Sequence, residues 1–179
     1  MKLPIMSDAW AEAVINAPIQ AIDVTDWVFG LTDGEYKACS KDHIAAATTR
    51  SPDGKRMSIN VERVGRILVQ HYVEDISERQ HCRLVSLSDT LGPTIDDRGQ
   101  IGVMWEFFVE PLDPTTTKFT NHVRVTAAPG WQEALRQQGA TLEQAQERSR
   151  TALVAHNAEE TPLFAKDIER KALEGRWSR

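Results

Sequence analysis

The side chains that could do chemistry in this sequence are scattered, and no motif groups them. Histidine can act as a general base or as a metal ligand near neutral pH. The histidines that fall in segments expected to be strand or helix are His71, His81, His122 and His156. In the segment RILVQHYVED, His71 is in phase with Val69 and Val73, so it faces the interior if that apolar face is the buried one. For each histidine, a hydrogen-bonded or exposed position on the sheet remains the alternative.

A second group of candidates combines a carboxylate, an amide and a guanidinium. Glu62 shares one face of the segment MSINVERV with Asn60 and Ser58. An inward carboxylate could act as a general acid or base. Arg83, if it also faced inward, would pair with Glu62 or anchor the carboxylate of a ligand. On a solvated face the same residues would only keep the protein soluble.

Several reaction classes lack their motifs. Neither Cys39 nor Cys82 has a CxxC partner, so the sequence carries no cysteine zinc motif and no dithiol redox motif. No serine stands in a GxSxG or SxxK context, and no Walker A or GxGxxG loop exists to bind a nucleotide. We therefore expect no cofactor and no metal, and the sequence leaves the catalytic residues unknown.

The elements that must position these side chains are strands in the middle of the chain. From His43 to Thr126 the pattern changes to a period of two, which is typical of strands with one buried face. The residues SPDG at 51–54 predict a hairpin turn. No helix separates the segments, so they indicate an antiparallel meander and not a Rossmann-type fold. The expected strands are IAAATTR, MSINVERV, RILVQHYVED, HCRLVSLSD, IGVMWEFFVEPLD and TTKFTNHVRVT, after a first strand that ends near residue 16.

Helices are expected on both sides of these strands. Pro18, at a first helical position, and apolar residues at helical spacing over 24–31 predict a short helix, and a second short turn follows around 35–39. A long helix covers Leu142–Leu173, because Thr141 and Gln144 form a capping box before it and Gly175 is a natural stop after it. Pro162 should kink this helix or restart it with Thr161 as its cap.

This order of elements resembles the START/Bet v 1-like superfamily, which includes polyketide cyclases and lipid-transfer domains. The segments that carry the resemblance are VINAPIQAIDVTDWV, WEFFVEPLD, TTKFTNHVRV and the terminal helix. The resemblance implies an α+β helix-grip domain over residues 1–179, with a curved antiparallel sheet of six to seven strands wrapped on the long C-terminal helix. Two short helices follow the first strand. An NTF2-like cone places its helices first, so the long helix after the last strand speaks against it.

The resemblance further implies a pocket between the concave face of the sheet and the C-terminal helix. In the sixth expected strand Trp105 and Phe107 lie on the apolar face, and Asn121 is in phase with Phe119 on the next strand. Phe164 lies on the flank of the final helix that also carries His156 and Glu160, a pair four residues apart that we expect at the surface. The pocket candidates are Trp105, Phe107, Phe119, Asn121, His71, Glu62, Arg83 and Phe164. A ring-hydroxylase iron site, which this superfamily can carry, would need two closely spaced histidines, and no HxH or HxxxxH occurs.

Composition limits the partners. The net charge of −5 comes without a basic block or stripe, so no nucleic acid is expected. The first residues lack both a signal-peptide apolar core and the length of a membrane span. A chain of 179 residues that is 41% hydrophobic can bury the core of one domain. We expect a cytoplasmic monomer or homodimer whose partner is a small apolar molecule.

Three functions remain open from the sequence. The first is binding of a small hydrophobic ligand in the internal cavity. The second is an enzyme on the same fold, of the aromatase/cyclase or dehydratase type, acting on an apolar carbonyl compound; it predicts titratable groups that converge inside the pocket. The third is a protein-interaction module, which predicts a filled interior and a large exposed apolar patch.

Overall fold

The computed structural model describes residues 3–94 and 97–178 as one curved sheet wrapped on a long helix. Its seven antiparallel strands lie in the order β1-β7-β6-β5-β4-β3-β2, so the first strand pairs with the last. The strands are β1 (Ile5–Ile15), β2 (His43–Arg50), β3 (Arg56–Val64), β4 (Arg66–Glu78), β5 (His81–Leu91), β6 (Arg98–Pro111) and β7 (Thr117–Ala127). The α+β helix-grip architecture expected from the sequence is confirmed.

Four α-helices complete the fold, and the two short ones after β1 are where the sequence predicted them. A 3-10 turn at Ile19–Ala21 precedes the first α-helix. The helices are α1 (Val24–Phe29), α2 (Asp33–Ala38), α3 (Trp131–Gln137) and α4 (Leu142–Leu173). Helix α3 is not predicted from the sequence, because it begins after Gly130 with a left-handed backbone (φ 86°) and has no side-chain cap.

Helix α4 runs without interruption from Leu142 to Leu173, so the prediction of a restart at Pro162 is wrong. The Thr141–Gln144 capping box is present at its start, and Gly175 (φ 73°) follows its end. Proline has no N–H to donate, yet a helix can continue through it when tertiary packing holds both halves. Here Thr161 is completely buried, and its hydroxyl donates to the Asn157 carbonyl at 2.6 Å.

An aromatic cluster fills one end of the space between the sheet and α4. Trp27 of α1 is its centre, with ring centroids 5.3 Å from Phe107, 6.1 Å from Phe119 and 5.1 Å from Phe164. Edge-to-face aromatic pairs at such distances add stabilisation beyond the area that they bury. The indole N–H of Trp27 donates to Asp167 of α4 at 2.9 Å, which ties α1 to the long helix.

Truncating Phe164 tests whether this cluster anchors α4. Phe164 is completely buried, so Phe164→Ala should lower the free energy of unfolding by about 3–5 kcal/mol through lost burial and a residual cavity. The matched control is Leu173→Ala on the same helix, where the side chain is 69% exposed; it should change stability by less than about 0.5 kcal/mol. Urea unfolding followed by circular dichroism measures both, and equal effects would contradict the packing described.

Candidate functional site

Four ionisable side chains meet between the sheet and α4. His43 begins β2, and Glu62 lies directly opposite it on β3, so both point to the same side of the sheet. His156 and Glu160 are one helical turn apart on α4 and therefore share a face. All four residues are buried. The cluster is assembled from two consecutive strands, β2 and β3, and from α4, which lies far from them in sequence.

The distances show that one point is shared by all four groups. Glu160 Oε2 lies 3.2 Å from His43 Nε2 and 3.3 Å from His156 Nε2. Glu62 Oε2 lies 3.4 Å from His156 Nε2 and 3.8 Å from His43 Nε2. We call these four residues the His/Glu centre.

Tyr36 of α2 holds two members of the His/Glu centre. Its hydroxyl donates to Glu62 Oε2 at 3.0 Å, and its backbone carbonyl lies 2.6 Å from His43 Nδ1. Its ring stacks on the His43 imidazole with centroids 3.8 Å apart. The other oxygen of Glu62 accepts from Gln70 Nε2 at 2.9 Å. Helix α2 and strand β4 thus fix the orientation of the histidine and of the carboxylate.

Asn121 holds Glu160. Its Nδ2 donates to Glu160 Oε1 at 2.9 Å and to the Thr161 hydroxyl at 3.1 Å, while its Oδ1 accepts from Trp105 Nε1 at 3.0 Å. Asn121 is completely buried, and these contacts satisfy every polar atom of its amide. This residue is therefore the link between the sheet, the aromatic cluster and the His/Glu centre.

The electrostatics of the centre are strongly coupled. Burial works against the ionised form of Glu160, but the imidazoles of His156 and His43 outweigh it and hold the pKa of Glu160 at about 2. Burial likewise disfavours a charged His156, yet the carboxylates of Glu160 and Glu62 raise its pKa to about 11. Burial and the neighbouring Glu62 carboxylate raise the pKa of the Tyr36 hydroxyl well above its usual value. The centre thus favours ionised Glu160 and a positive charge next to it.

His156 is the least satisfied member of the centre. Neither Nδ1 nor Nε2 has a hydrogen-bond partner, although His156 is only 6% exposed. Its Nε2 is close to both carboxylates, but the direction of approach is not that of a hydrogen bond. A buried polar atom without a partner is costly, and each such atom in a native protein calls for an explanation.

The inner face of the sheet has a polar half next to this centre. On β3, β4 and β5 the buried positions are occupied mostly by hydroxyl and amide side chains, whereas on β6 and β7 they are mostly apolar. The buried polar residues of that half are Ser58, Asn60, Glu62, Gln70, Ser86, Ser88 and Thr90. The interior therefore has an aromatic side and a side with hydrogen-bonding groups.

The structure brings most of the sequence candidates to the interior. Glu62 belongs to the His/Glu centre, Asn121 supports that centre, and Trp105 donates a hydrogen bond to Asn121. Phe107, Phe119 and Phe164 are completely buried in the aromatic cluster. Whether any of these residues contacts a ligand stays a prediction.

Two candidates lie on the opposite face of the sheet. On β4 the buried residues are Leu68, Gln70 and Tyr72, so His71 points outward, and on β5 Arg83 alternates with the buried Cys82 and Leu84. Arg83 pairs with Asp75 at 2.6 Å and with Glu106 at 3.6 Å, and not with Glu62. The expected inward orientation was wrong because these strands carry polar residues on the inner face, which inverts the usual hydrophobic pattern.

Sequence reasoning also missed half of the centre. The pair His156 and Glu160 was expected at the surface but is buried. The sequence pattern marks His43 only as the start of the strand region, and it gives no reason to select Tyr36. The i,i+4 spacing of His156 and Glu160 was a usable signal, but nothing in the sequence shows that β2 and β3 lie beneath that turn of α4.

The aromatic cluster leaves little empty space at its end of the interior. Two pockets lie at the surface instead. One, of about 320 Å³, is formed by Met6 of β1 and the first turns of α4. Another, of about 250 Å³, lies between α1 and the end of α4, near Trp27 and Trp177. None of the residues expected to line a pocket borders either of them.

Comparison with solved structures identifies the fold. The chain superposes on the Zhui aromatase/cyclase from Streptomyces sp. R1128 with a TM-score of 0.60 and 17% identity, over 92% of this chain and 94% of that one. The chain therefore shares the helix-grip fold of that protein. Two di-domain aromatase/cyclases, StfQ and BexL, superpose with TM-scores of 0.59 and 0.52 and identities of 13% and 21%. The match spans 92% of this chain but 52% and 50% of those chains.

Sequence comparisons add nothing to this assignment. No family model matches the chain, and the search of curated proteins found no match. Among the described residues, no helix is both long and apolar enough to cross a membrane.

Removing the Asn121 amide tests the link between β7 and the His/Glu centre. Asn121→Ala leaves the Trp105 N–H and one Glu160 oxygen unpaired in the interior, so it should lower the free energy of unfolding by about 2–4 kcal/mol. The matched control is Asn16→Ala, which removes an exposed amide–carboxylate hydrogen bond to Glu169 and should cost less than about 1 kcal/mol. Chemical denaturation compares the two, and similar losses would contradict the role given to Asn121.

The contact between α2 and α4 should make stability depend on pH. Burial opposes ionisation of Glu35, but the Thr32 backbone N–H and the Lys171 ammonium overcome it and hold the pKa of Glu35 at about 2. A carboxyl whose pKa is lowered on folding stabilises the protein above its ordinary pKa near 4.5 and loses that contribution as pH falls toward 2.

Glu35→Gln should therefore reduce the loss of stability between pH 5 and about pH 2 by about 1–3 kcal/mol, since the side chain is partly exposed and its interactions are screened. The change Glu143→Gln, at an exposed glutamate in the first turn of α4, serves as the control. Urea denaturation at stepped pH measures the slopes, and parallel curves for the parent and Glu35→Gln would contradict this coupling.

Proposed function

We propose that the protein is an enzyme that acts on a small, oxygenated carbonyl compound bound next to the His/Glu centre. The observation that carries the proposal is the convergence of His43, Glu62, His156 and Glu160 at one buried point. Taking ionisable groups out of water costs several kcal/mol for each group, and a well-packed apolar replacement is often as stable. A fold that retains such a cluster uses it for more than stability.

The two sides of the interior suit a ligand with an apolar ring and several oxygens. Trp105 and its aromatic neighbours offer a flat apolar wall, while Gln70, Ser86 and Asn60 offer hydrogen-bonding groups on the other side. A carrier of a purely apolar molecule has no need for this polar half. Three of the solved structures with this fold are aromatase/cyclases, and the proposal applies that reaction class to this chain.

Glu62 and His156 are the members best placed to meet a substrate. Their side chains retain 10% and 6% exposure, whereas that of His43 is fully buried. They lie near the β3–β4 turn, where Gly65 approaches Ala152, one turn of α4 before His156. We infer that a ligand enters between this turn and α4.

The reaction class that fits these groups is an intramolecular aldol cyclisation followed by loss of water. A carboxylate takes a proton from the carbon next to one carbonyl, and the resulting carbanion forms a bond to the carbon of a second carbonyl in the same molecule. The alkoxide oxygen takes a proton from an imidazolium and becomes a hydroxyl. The imidazole then removes a second proton from the carbon that formed the new bond, and the protonated carboxyl gives its proton to the hydroxyl. The C–O bond breaks to release water, and a C=C bond forms. No oxidant or reductant is needed.

Turnover of defined probes tests the proposal. Short poly-β-ketone thioesters incubated with the purified full chain should give cyclised products that have lost one water, detected by liquid chromatography and mass spectrometry. Glu62→Gln should reduce the rate by about 100-fold or more, since removing a positioned acid–base group has effects of this size. His71→Gln, on the outer face, should retain the parent rate.

The outcome also separates the competing functions. Native mass spectrometry that shows a probe or a co-purifying small molecule bound, without any conversion, would contradict an enzyme and support a ligand-binding protein. An interaction module would bind no probe. The His/Glu centre would have no use in such a module, which is why the structure favours the enzyme.

A further inference from the structure

We propose that His43, Glu62, His156 and Glu160 form a binding site for one divalent metal ion of the zinc type. The ion would be a cofactor of the proposed enzyme, so its catalytic role rests on the proposed function. The geometric evidence for the metal site does not depend on that function. Three of these residues, His43, Glu62 and His156, present ligand atoms that all lie within 4.8 Å of one another, and Glu160 closes the fourth side.

The spacing of the ligand atoms fits a tetrahedral ion. Zinc binds imidazole nitrogen and carboxylate oxygen at about 2.0–2.2 Å, so the edges of a tetrahedron of such ligands measure about 3.3–3.6 Å. The four nitrogen–oxygen separations in the centre are 3.2, 3.3, 3.4 and 3.8 Å. His43, Glu62 and His156 already present ligand atoms within 4.8 Å of one another. Glu160 is not part of that group, so its carboxylate would have to move toward the ion to become the fourth ligand.

The hydrogen bonding of His43 directs its second nitrogen toward the two carboxylates. A backbone carbonyl can only accept, so His43 Nδ1 must donate its proton to the Tyr36 carbonyl, 2.6 Å away. Nε2 lies at hydrogen-bond distance from Glu160 Oε2, 3.2 Å away, and 3.8 Å from Glu62 Oε2. Such a contact between an imidazole nitrogen and a carboxylate needs a cation between the two atoms, which is either a proton or a metal ion.

His156 favours the metal ion over the proton. If an N–H of His156 joined the two carboxylates, it would point along one of the contacts to Glu160 or Glu62. Instead Nε2 sits 3.3 and 3.4 Å from the two oxygens with no hydrogen-bond geometry to either, and it is buried. A nitrogen and two oxygens that converge without hydrogen bonds are arranged like ligands around a common atom.

The surrounding residues orient the ligands as outer-shell partners do in metal sites. His43 donates to a carbonyl, Glu62 accepts from Tyr36 and Gln70, and Glu160 accepts from Asn121. Such partners fix the tautomer and the direction of each ligand. No other part of the described chain combines two histidines and two carboxylates with this degree of burial and support.

The donor set indicates the class of ion. Two imidazoles with carboxylates suit zinc and its first-row neighbours, whereas calcium and magnesium take oxygen ligands. The thiol of Cys39 bonds to the Glu35 carbonyl and takes no part in the centre. An ion next to Glu62 and His156, on the side nearest to solvent, would polarise the carbonyl oxygen of a bound substrate as a Lewis acid.

Metal titration of the full chain tests this inference. The protein is stripped with a chelator, and Zn²⁺ is then added in competition with a chromophoric chelator, while Co²⁺ is followed by its visible absorption. We expect one equivalent of Zn²⁺ bound, the intense absorption of four-coordinate Co²⁺, and a Tm that rises with Zn²⁺ because only the folded chain holds the site. Glu62→Gln and His156→Gln should each weaken Zn²⁺ binding by about tenfold or more, and His71→Gln should leave it unchanged.

Each result has a defined meaning. Lack of stoichiometric Zn²⁺ binding by the parent protein, with no cobalt absorption and no rise in Tm, would overturn the metal site even if the variants fail to fold. Binding that survives both substitutions would overturn it as well. If the parent converts the carbonyl probes equally well after chelation, the proposed function stands and the metal inference fails. If Zn²⁺ binds at this centre but no probe is converted, the site stands and the proposed function fails.

Discussion

The buried ionic contact between the sheet and α4 is the constraint on which the rest of this structure depends. Glu62 on β3 and Glu160 on α4 bring two carboxylates into an interior that would otherwise exclude charge, and His43 and His156 lie close to both. Hydrogen bonds from Tyr36 and Gln70 to Glu62 and from Asn121 to Glu160 add to the compensation. Since a buried carboxylate without a partner is strongly destabilising, the elements that carry these groups have to meet in one arrangement. The register of β2 and β3 and the rotation of α4 about its axis are consistent with that requirement, since they place all four side chains together.

The neighbouring elements make this arrangement rigid. The capping box of α2, formed by Thr32 and Glu35, sets the helix that presents Tyr36 to His43 and Glu62. From the other side, Asn121 connects Glu160 to Trp105 and so to the aromatic cluster. A reacting group must be held within a fraction of an ångström of its productive position. The aromatic end of the interior supplies packing stability, and the polar half of the sheet supplies hydrogen-bonding groups next to the His/Glu centre.

The fold could be predicted from the sequence because its signals are local. Turn residues, the capping box and the alternating pattern of β6, in which Trp105 and Phe107 share one face, each depend only on residues that are close in sequence. The orientation of β4 could not be predicted the same way, because Gln70 faces the interior while the apolar Val69 and Val73 face outward. Hydrophobic periodicity identifies the buried face only where the interior is apolar. The His/Glu centre escaped detection for a related reason: its members become neighbours only through tertiary packing.

A crystal structure of the protein grown with Zn²⁺, with anomalous diffraction recorded at the zinc edge, tests the account most directly. The account predicts one anomalous peak inside the domain, within bonding distance of His43 Nε2, His156 Nε2 and the carboxylates of Glu62 and Glu160, with the Tyr36 and Asn121 contacts retained. An interior without such a peak, in which His156 donates a hydrogen bond to one of the carboxylates, would contradict it.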